Sequence, residues 1–166
     1  MAYTDRFIST DYLITNLSPY LATVHDAGVL ASYAGFLSVS SVTVYELAIK
    51  DIFGDFALKK NKVFGHYIEK HLSRINGRIK LDDLKSSQIK TFGAKYLLKF
   101  DKSVNIKEAT FLISHGRSLK SSYSNLITCR HEFVHQGNPT LTITEVIDSY
   151  NLGKEIIHSL NESMKR

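Results

Sequence analysis

Only one cysteine, Cys129, occurs in 166 residues. That excludes an intrachain disulfide and a multi-cysteine zinc site, and it fits a reducing cytoplasm. The expected place of Cys129 is a small side chain in the core. Prolines are equally scarce: Pro19 and Pro139 are the only two, so long helices can run unbroken. The first ten residues include Asp5 and Arg6 and no apolar stretch, so no secretory signal is expected there. No long block of one charge occurs either. Lys and Arg total 21 against 16 Asp and Glu, for a net charge of +5, which permits a polyanionic partner without requiring one. The basic residues come in small groups (Lys59, Lys60 and Lys62; Arg74, Arg78 and Lys80; Lys95, Lys99 and Lys102). Each group is a candidate for phosphate contact, but a solvated helix face explains it as well.

What is present is helical patterning. Hydrophobic residues make up 43% and charged residues 22% of the chain, a globular composition for one domain of ordinary size. Between Val39 and Phe56 the apolar residues nearly surround the helix, as expected for one central to a bundle, and Glu46 sits among them. The uncharged span Ala27 to Tyr45 approaches the length of a membrane crossing. Its glycines, serines and tyrosines favour a buried helix instead, and no membrane partner is expected. Asn61 to Arg74 repeats the helical pattern, with Asn76-Gly77 as its stop. One or two shorter helices are expected over Leu81 to Phe100, broken at Gly93 and near Asp101-Lys102. A helix from Leu119 should run to Gly137 and Pro139, and a last one should open on the capping box of Thr142 and Glu145. The expected fold is all-α.

The densest chemistry is Cys129-Arg130-His131-Glu132-Phe133-Val134-His135-Gln136-Gly137. From His131 to His135 it reads His-Glu-x-x-His, the zinc-peptidase pattern, with the two imidazoles about 40° apart around a helix and Glu132 near a metal-bound water. A catalytic zinc needs a third protein ligand. The extended pattern would put glycine and histidine where Asn138 and Leu141 stand, which leaves Glu145 or Glu155, and Glu145 is committed to the capping box.

From Arg130 to His135 the same stretch reads Arg-x4-His. RNA cleavage without a metal needs a base for the 2′-hydroxyl, a cation for the charge on the phosphate, and a proton for the leaving 5′-oxygen. Histidine and arginine suit those roles. Positions five apart nevertheless diverge by about 140° on one helix. Either the helix end unwinds near Gly137, or two copies lend residues to a shared cleft. A third reading is structural: Arg130 pairs with a carboxylate such as Glu46, and His135 caps the helix C-terminus.

The stretch resembles the signature of the HEPN superfamily, small all-helical domains with Arg-x4-6-His near the end of a late helix. Arg130 and His135 match it, His131 matches the polar residue that follows the arginine, and Gly137 matches, after one insertion, the glycine of the RiboL-PSP-like branch. The segments Ser40 to Glu46, Thr91 to Gly93, Tyr123 to Cys129 and Thr142 to Met164 are similar as well, so the resemblance spans about Asp11 to the end. It implies a single HEPN domain over residues 1–166, an HEPN-like helical bundle that dimerises. It also implies metal-independent endoribonuclease activity leaving 2′,3′-cyclic phosphate and 5′-hydroxyl ends, with no cofactor and no metal. Arg130 and His135 would be catalytic, His131 an assisting polar group, and Glu46 a buried acid orienting the arginine or histidine. RNA, a second copy of the chain, and an antitoxin or other regulatory protein are the implied partners, and the implied setting is a cytoplasmic toxin or phage-defence effector. Some HEPN domains serve only as RNA-binding or dimerisation modules. In toxins partnered with nucleotidyltransferases a tyrosine stands where this chain has Gly137, so regulation through that tyrosine is not implied.

Overall fold

A computed structural model describes residues 2–73 and 77–165 and contains helices and turns but no strand among them. A 3-10 turn, Tyr3–Phe7, leads into α1 (Ile8–Leu21). There follow α2 (Ala27–Lys60), α3 (Lys62–Leu72), a short α4 (Leu81–Asp83), α5 (Ala94–His115), α6 (Leu119–Gln136) and α7 (Ile143–Ser163). The all-α expectation holds. A π-helical turn, Leu84–Gln88, and a 3-10 turn, Ile89–Phe92, follow α4, and Gly93 breaks the run at φ 120°.

Two expected boundaries move. The central helix is one element of 34 residues, joining the apolar span from Ala27 to the segment around Glu46. Its start is capped by the Asp26 carboxylate, which accepts from the amides of Gly28 and Val29 at 2.8 and 3.0 Å. Asp101-Lys102 is no break, because α5 runs through it and Asp101 instead pairs with Lys85 at 2.6 Å. Asn61 caps α3, which ends at Leu72, and the expected Arg74 and Asn76 lie outside the described residues.

By length and composition α2 could cross a membrane, but from Leu37 onward it is wrapped by α3, α6, α7 and the N-terminal turn. Its centre is a stack of tyrosines. Tyr45 lies parallel to Tyr123 of α6 and to Tyr150 of α7, with ring centroids 5.7 Å apart in both pairs. All three rings are fully buried, and each hydroxyl is satisfied by donating to a backbone carbonyl. Tyr45 reaches the carbonyl of Tyr150, Tyr123 that of Ile79 at 2.6 Å, and Tyr150 that of Phe7 at 3.3 Å. Burial raises all three phenols well above their ordinary range, so the hydroxyls remain donors. A Cβ on Gly153 would collide with the Tyr45 ring, which explains a glycine in mid-helix.

The far end of α2 is held by a second aromatic group. Phe92 stacks on Phe53 at 4.9 Å and meets Phe56 edge-on at 5.5 Å. Arg6, in the N-terminal turn, forks onto Asp51 at 2.7 and 3.0 Å, and Lys154 reaches Asp11 at 2.5 Å, tying that turn and α1 to α2 and α7.

Candidate functional site

Helix α6 carries the Arg-x4-His stretch. Its start is fixed by the Ser118 hydroxyl, which accepts from the amide of Ser121 at 3.0 Å and donates to Glu108 at 2.6 Å. Its end is fixed by Gly137 at φ 75°, whose amide donates to the carbonyl of Phe133 at 2.9 Å. The expected stop at Gly137 is therefore in place, and α6 keeps helical geometry through Gln136. The helix does not unwind at His135, so Arg130 and His135 do diverge by about 140°. Arg130 is half-buried on the inner side, whereas His131 and His135 are exposed.

The inner side of α6 meets α2 closely at Gly35. A Cβ there would overlap the Phe133 ring, which also meets Phe36 edge-on at 5.4 Å. Together with Tyr45 on Tyr123, this contact sets the antiparallel register of α2 and α6. Arg130 then lies level with residue 38 of α2, and Glu46 lies roughly 12 Å further along the axis. The Glu46 carboxylate accepts from Lys50 at 2.7 Å and from the amide of Gly77 at 3.1 Å. The structure thus does not bring Glu46 to Arg130 or His135. The acid expected to orient them instead anchors the turn after α3, because a carboxylate eight residues along the neighbouring helix finds that amide first.

Of the other site residues, His131 and His135 come together at the end of α6, while Arg130 faces away from His135. The rings of His131 and His135 are 4.4 Å apart and tilted by 54°. Among the described residues neither histidine has a hydrogen bond or ion pair, and the same is true of Arg130 and Glu132. The structural reading that pairs Arg130 with Glu46 is absent here, while His135 does stand in the last turn of α6, where a cation is favoured. A zinc-peptidase triad does not assemble. No group of three His, Cys, Asp or Glu side chains suited to a metal occurs among the described residues. Glu145 closes its capping box onto the Thr142 amide at 2.8 Å, which lowers its carboxyl below the usual range, and Glu155 pairs with Lys107 at 3.1 Å.

Around this end the surface is apolar. Phe36 is 64% exposed despite its contact with Phe133, Val134 is 50% exposed, and Val29 and Tyr33 extend the patch along the first turns of α2. Sequence reasoning missed Gly35 and Phe36, and the signal for them was a glycine followed by a large aromatic in an otherwise apolar run. On the outer side of α6, Ser124 and Thr128 precede His131 and His135 at helical spacing. They border a groove of about 260 Å³ that also contains Lys80. Of the basic groups, Lys59, Lys60, Lys62, Arg78, Lys80, Lys95, Lys99 and Lys102 are all exposed, and Arg74 lies outside the described residues.

A family model described as RiboL-PSP-HEPN matches residues 5–166. No curated protein and no solved structure matches the chain.

Proposed function

The chain belongs to the RiboL-PSP-HEPN family, and from that premise we propose that it is a metal-independent endoribonuclease working as a homodimer, one HEPN domain over residues 1–166. Membership by itself points to an RNase or an RNA-binding module. The observation that carries the catalytic reading is the signature itself: Arg130 and His135 stand in the last turns of α6 with no side-chain hydrogen bond or ion pair among the described residues, so both are available to a ligand.

In this reading His135 takes the proton of a ribose 2′-hydroxyl, and the 2′-oxygen attacks the adjacent phosphorus. The bond to the 5′-oxygen breaks, and that oxygen takes a proton from solvent water as it leaves. The products are a 2′,3′-cyclic phosphate and a 5′-hydroxyl. Arg130 presents paired N–H donors to the phosphate oxygens as charge builds on them. His131, one turn before His135, assists as a second polar group. Because Arg130 and His135 of one chain face different ways on an intact helix, the cleft is composite: the arginine of one copy works opposite the histidine of the other. The exposed apolar surface of Phe36, Tyr33 and Val134 is the contact that would bring the copies together. RNA would run along the outer stripe of Ser124 and Thr128 toward Lys80. An RNase without a metal requirement is active wherever RNA is, which fits a cytoplasmic toxin or phage-defence effector restrained by an antitoxin or other regulatory protein.

The same divergence of about 140° favours a second reading, a noncatalytic HEPN module that binds RNA or a second copy. Mixed RNA incubated with the protein, with and without excess EDTA, separates the two. Cleavage that EDTA does not lower and that Arg130→Ala/His135→Ala abolishes is the expected result. RNA binding without cleavage by the wild type would establish the module instead.

A further inference from the structure

The His-Glu-x-x-His half of the stretch is left unused by RNA cleavage, yet the structure pairs its two imidazoles. We propose that His131 and His135 form a chelate for a divalent transition-metal ion of the zinc class, and that its capture switches the nuclease off. The inference rests on the reading of His135 as the catalytic base.

Three observations lead there. The histidines are four residues apart on an unbroken helix, with ring centroids 4.4 Å apart, so modest rotation brings one nitrogen of each to the bite of about 3.3 Å that a tetrahedral ion with nitrogen ligands at ~2.0–2.1 Å requires. Both side chains are exposed, and neither has a hydrogen-bond or ion-pair partner among the described residues that an ion would have to displace. Among the described residues no group of three such ligands forms, and Glu145 and Glu155 are engaged elsewhere. A catalytic zinc site needs three protein ligands and an activated water. An inhibitory chelate needs only two, with water or the paired histidines of a second copy filling the remaining positions.

The consequence for the reaction is direct. The nitrogen lone pair that would accept the 2′-hydroxyl proton is the one donated to the metal, so a metal-bound His135 is no base. The added positive charge beside Arg130 would still attract phosphate, so RNA binding survives while turnover stops. The sign is opposite to that of a metallopeptidase or a metal-dependent nuclease: chelator raises activity and metal lowers it.

Zinc titrated against a competing chromophoric chelator measures the site without any substrate. The wild type and Arg130→Ala should bind equally, and His131→Ala and His135→Ala should each bind at least roughly tenfold more weakly, the loss of one arm of a chelate. Equal binding by His131→Ala and the wild type would overturn the site, as would no binding by either. In a parallel RNA assay zinc should inhibit cleavage and EDTA restore it, and zinc-stimulated cleavage would overturn the switch. If no RNA is cut under any condition, the nuclease reading fails and the switch falls with it, while the titration still decides the chelate.

Discussion

The two halves of α2 live in different surroundings. From Leu37 to Ala57 most of its apolar side chains are enclosed, with Tyr45 clamped between Tyr123 and Tyr150, whereas from Ala27 to Phe36 large apolar groups stand in solvent. The enclosed half is where the fold gains its stability, because every ring there is buried and every phenol is hydrogen-bonded. The open half is where the signature lies: the end of α6 rests on Gly35 and Phe36, with Arg130 and both histidines free of side-chain hydrogen bonds and ion pairs among the described residues. In the proposed function this site accepts a polyanion and a second copy of the chain, and a site sealed by its own side chains would admit neither.

That contrast predicts opposite outcomes for two alanine substitutions. His135→Ala at the open end should lower RNA cleavage by roughly two to four orders of magnitude, the loss of a general base. It should shift stability by no more than about 0.5 kcal/mol, as an exposed substitution. Tyr45→Ala in the enclosed half should cost about 3–5 kcal/mol in urea unfolding, through the cavity it leaves. A large fall in stability for His135→Ala, or none for Tyr45→Ala, would erase the distinction between the halves.

Gly35→Ala tests the seam between them. A methyl group there has to displace the Phe133 ring, so a loss of about 1–3 kcal/mol is expected from overpacking. Cleavage should fall as well, because Phe133 positions the last turns of α6. Stability lost with cleavage intact would show that the site does not depend on this contact. Phe36→Ser should leave the monomer's stability nearly unchanged while moving the protein from dimer to monomer in sedimentation velocity, and cleavage should fall with it. A wild-type monomer would remove the composite cleft altogether.

The smallest effect concerns pH. Burial holds the His158 imidazole below its ordinary value, and its Nδ1 shares a hydrogen bond with the Tyr3 hydroxyl at 2.8 Å. Nearby Glu155 and Glu162 oppose that shift, and Lys107 and Lys154 add to it. With the folded value depressed, the unfolded chain binds the proton first as pH falls. Stability is then full above the ordinary imidazole range and declines through it toward the folded value. Melting temperature should drop slightly between about pH 7 and 5, and His158→Gln should flatten the drop. An unchanged slope in that variant would assign the pH dependence to other groups.

Much of the helical fold was legible before any coordinates. Gly137 and Pro139 end α6, the Thr142 and Glu145 box opens α7, and Gly93 breaks the chain before α5, each because a local backbone requirement selects the residue. The continuity of α2 was less legible, since Ala27 to Tyr45 and Val39 to Phe56 looked like separate signals in different environments. Asp101 and Lys102 suggested a break that α5 does not have, because charged residues on a solvent-facing side leave the helix intact. α1 escaped notice for a similar reason: Thr10 is its only buried residue, so it has little apolar periodicity to read.

The signature was legible as residue types at a spacing, and the helix they share was legible too. The role expected for Glu46 was not, since a carboxylate's partner depends on which backbone amide the tertiary register brings near it, and the Gly77 amide accompanies Lys50 there. The sequence by itself determined that the chain would be helical, where its caps would fall, and that Arg130, His131 and His135 would stand on the last turns of one helix, because all of these follow from interactions within a few residues. Only the tertiary structure decided that Phe133 would press on Gly35 and that Glu46 would serve a turn rather than the site. Those outcomes depend on contacts between residues far apart in the chain, and local pattern carries no record of them.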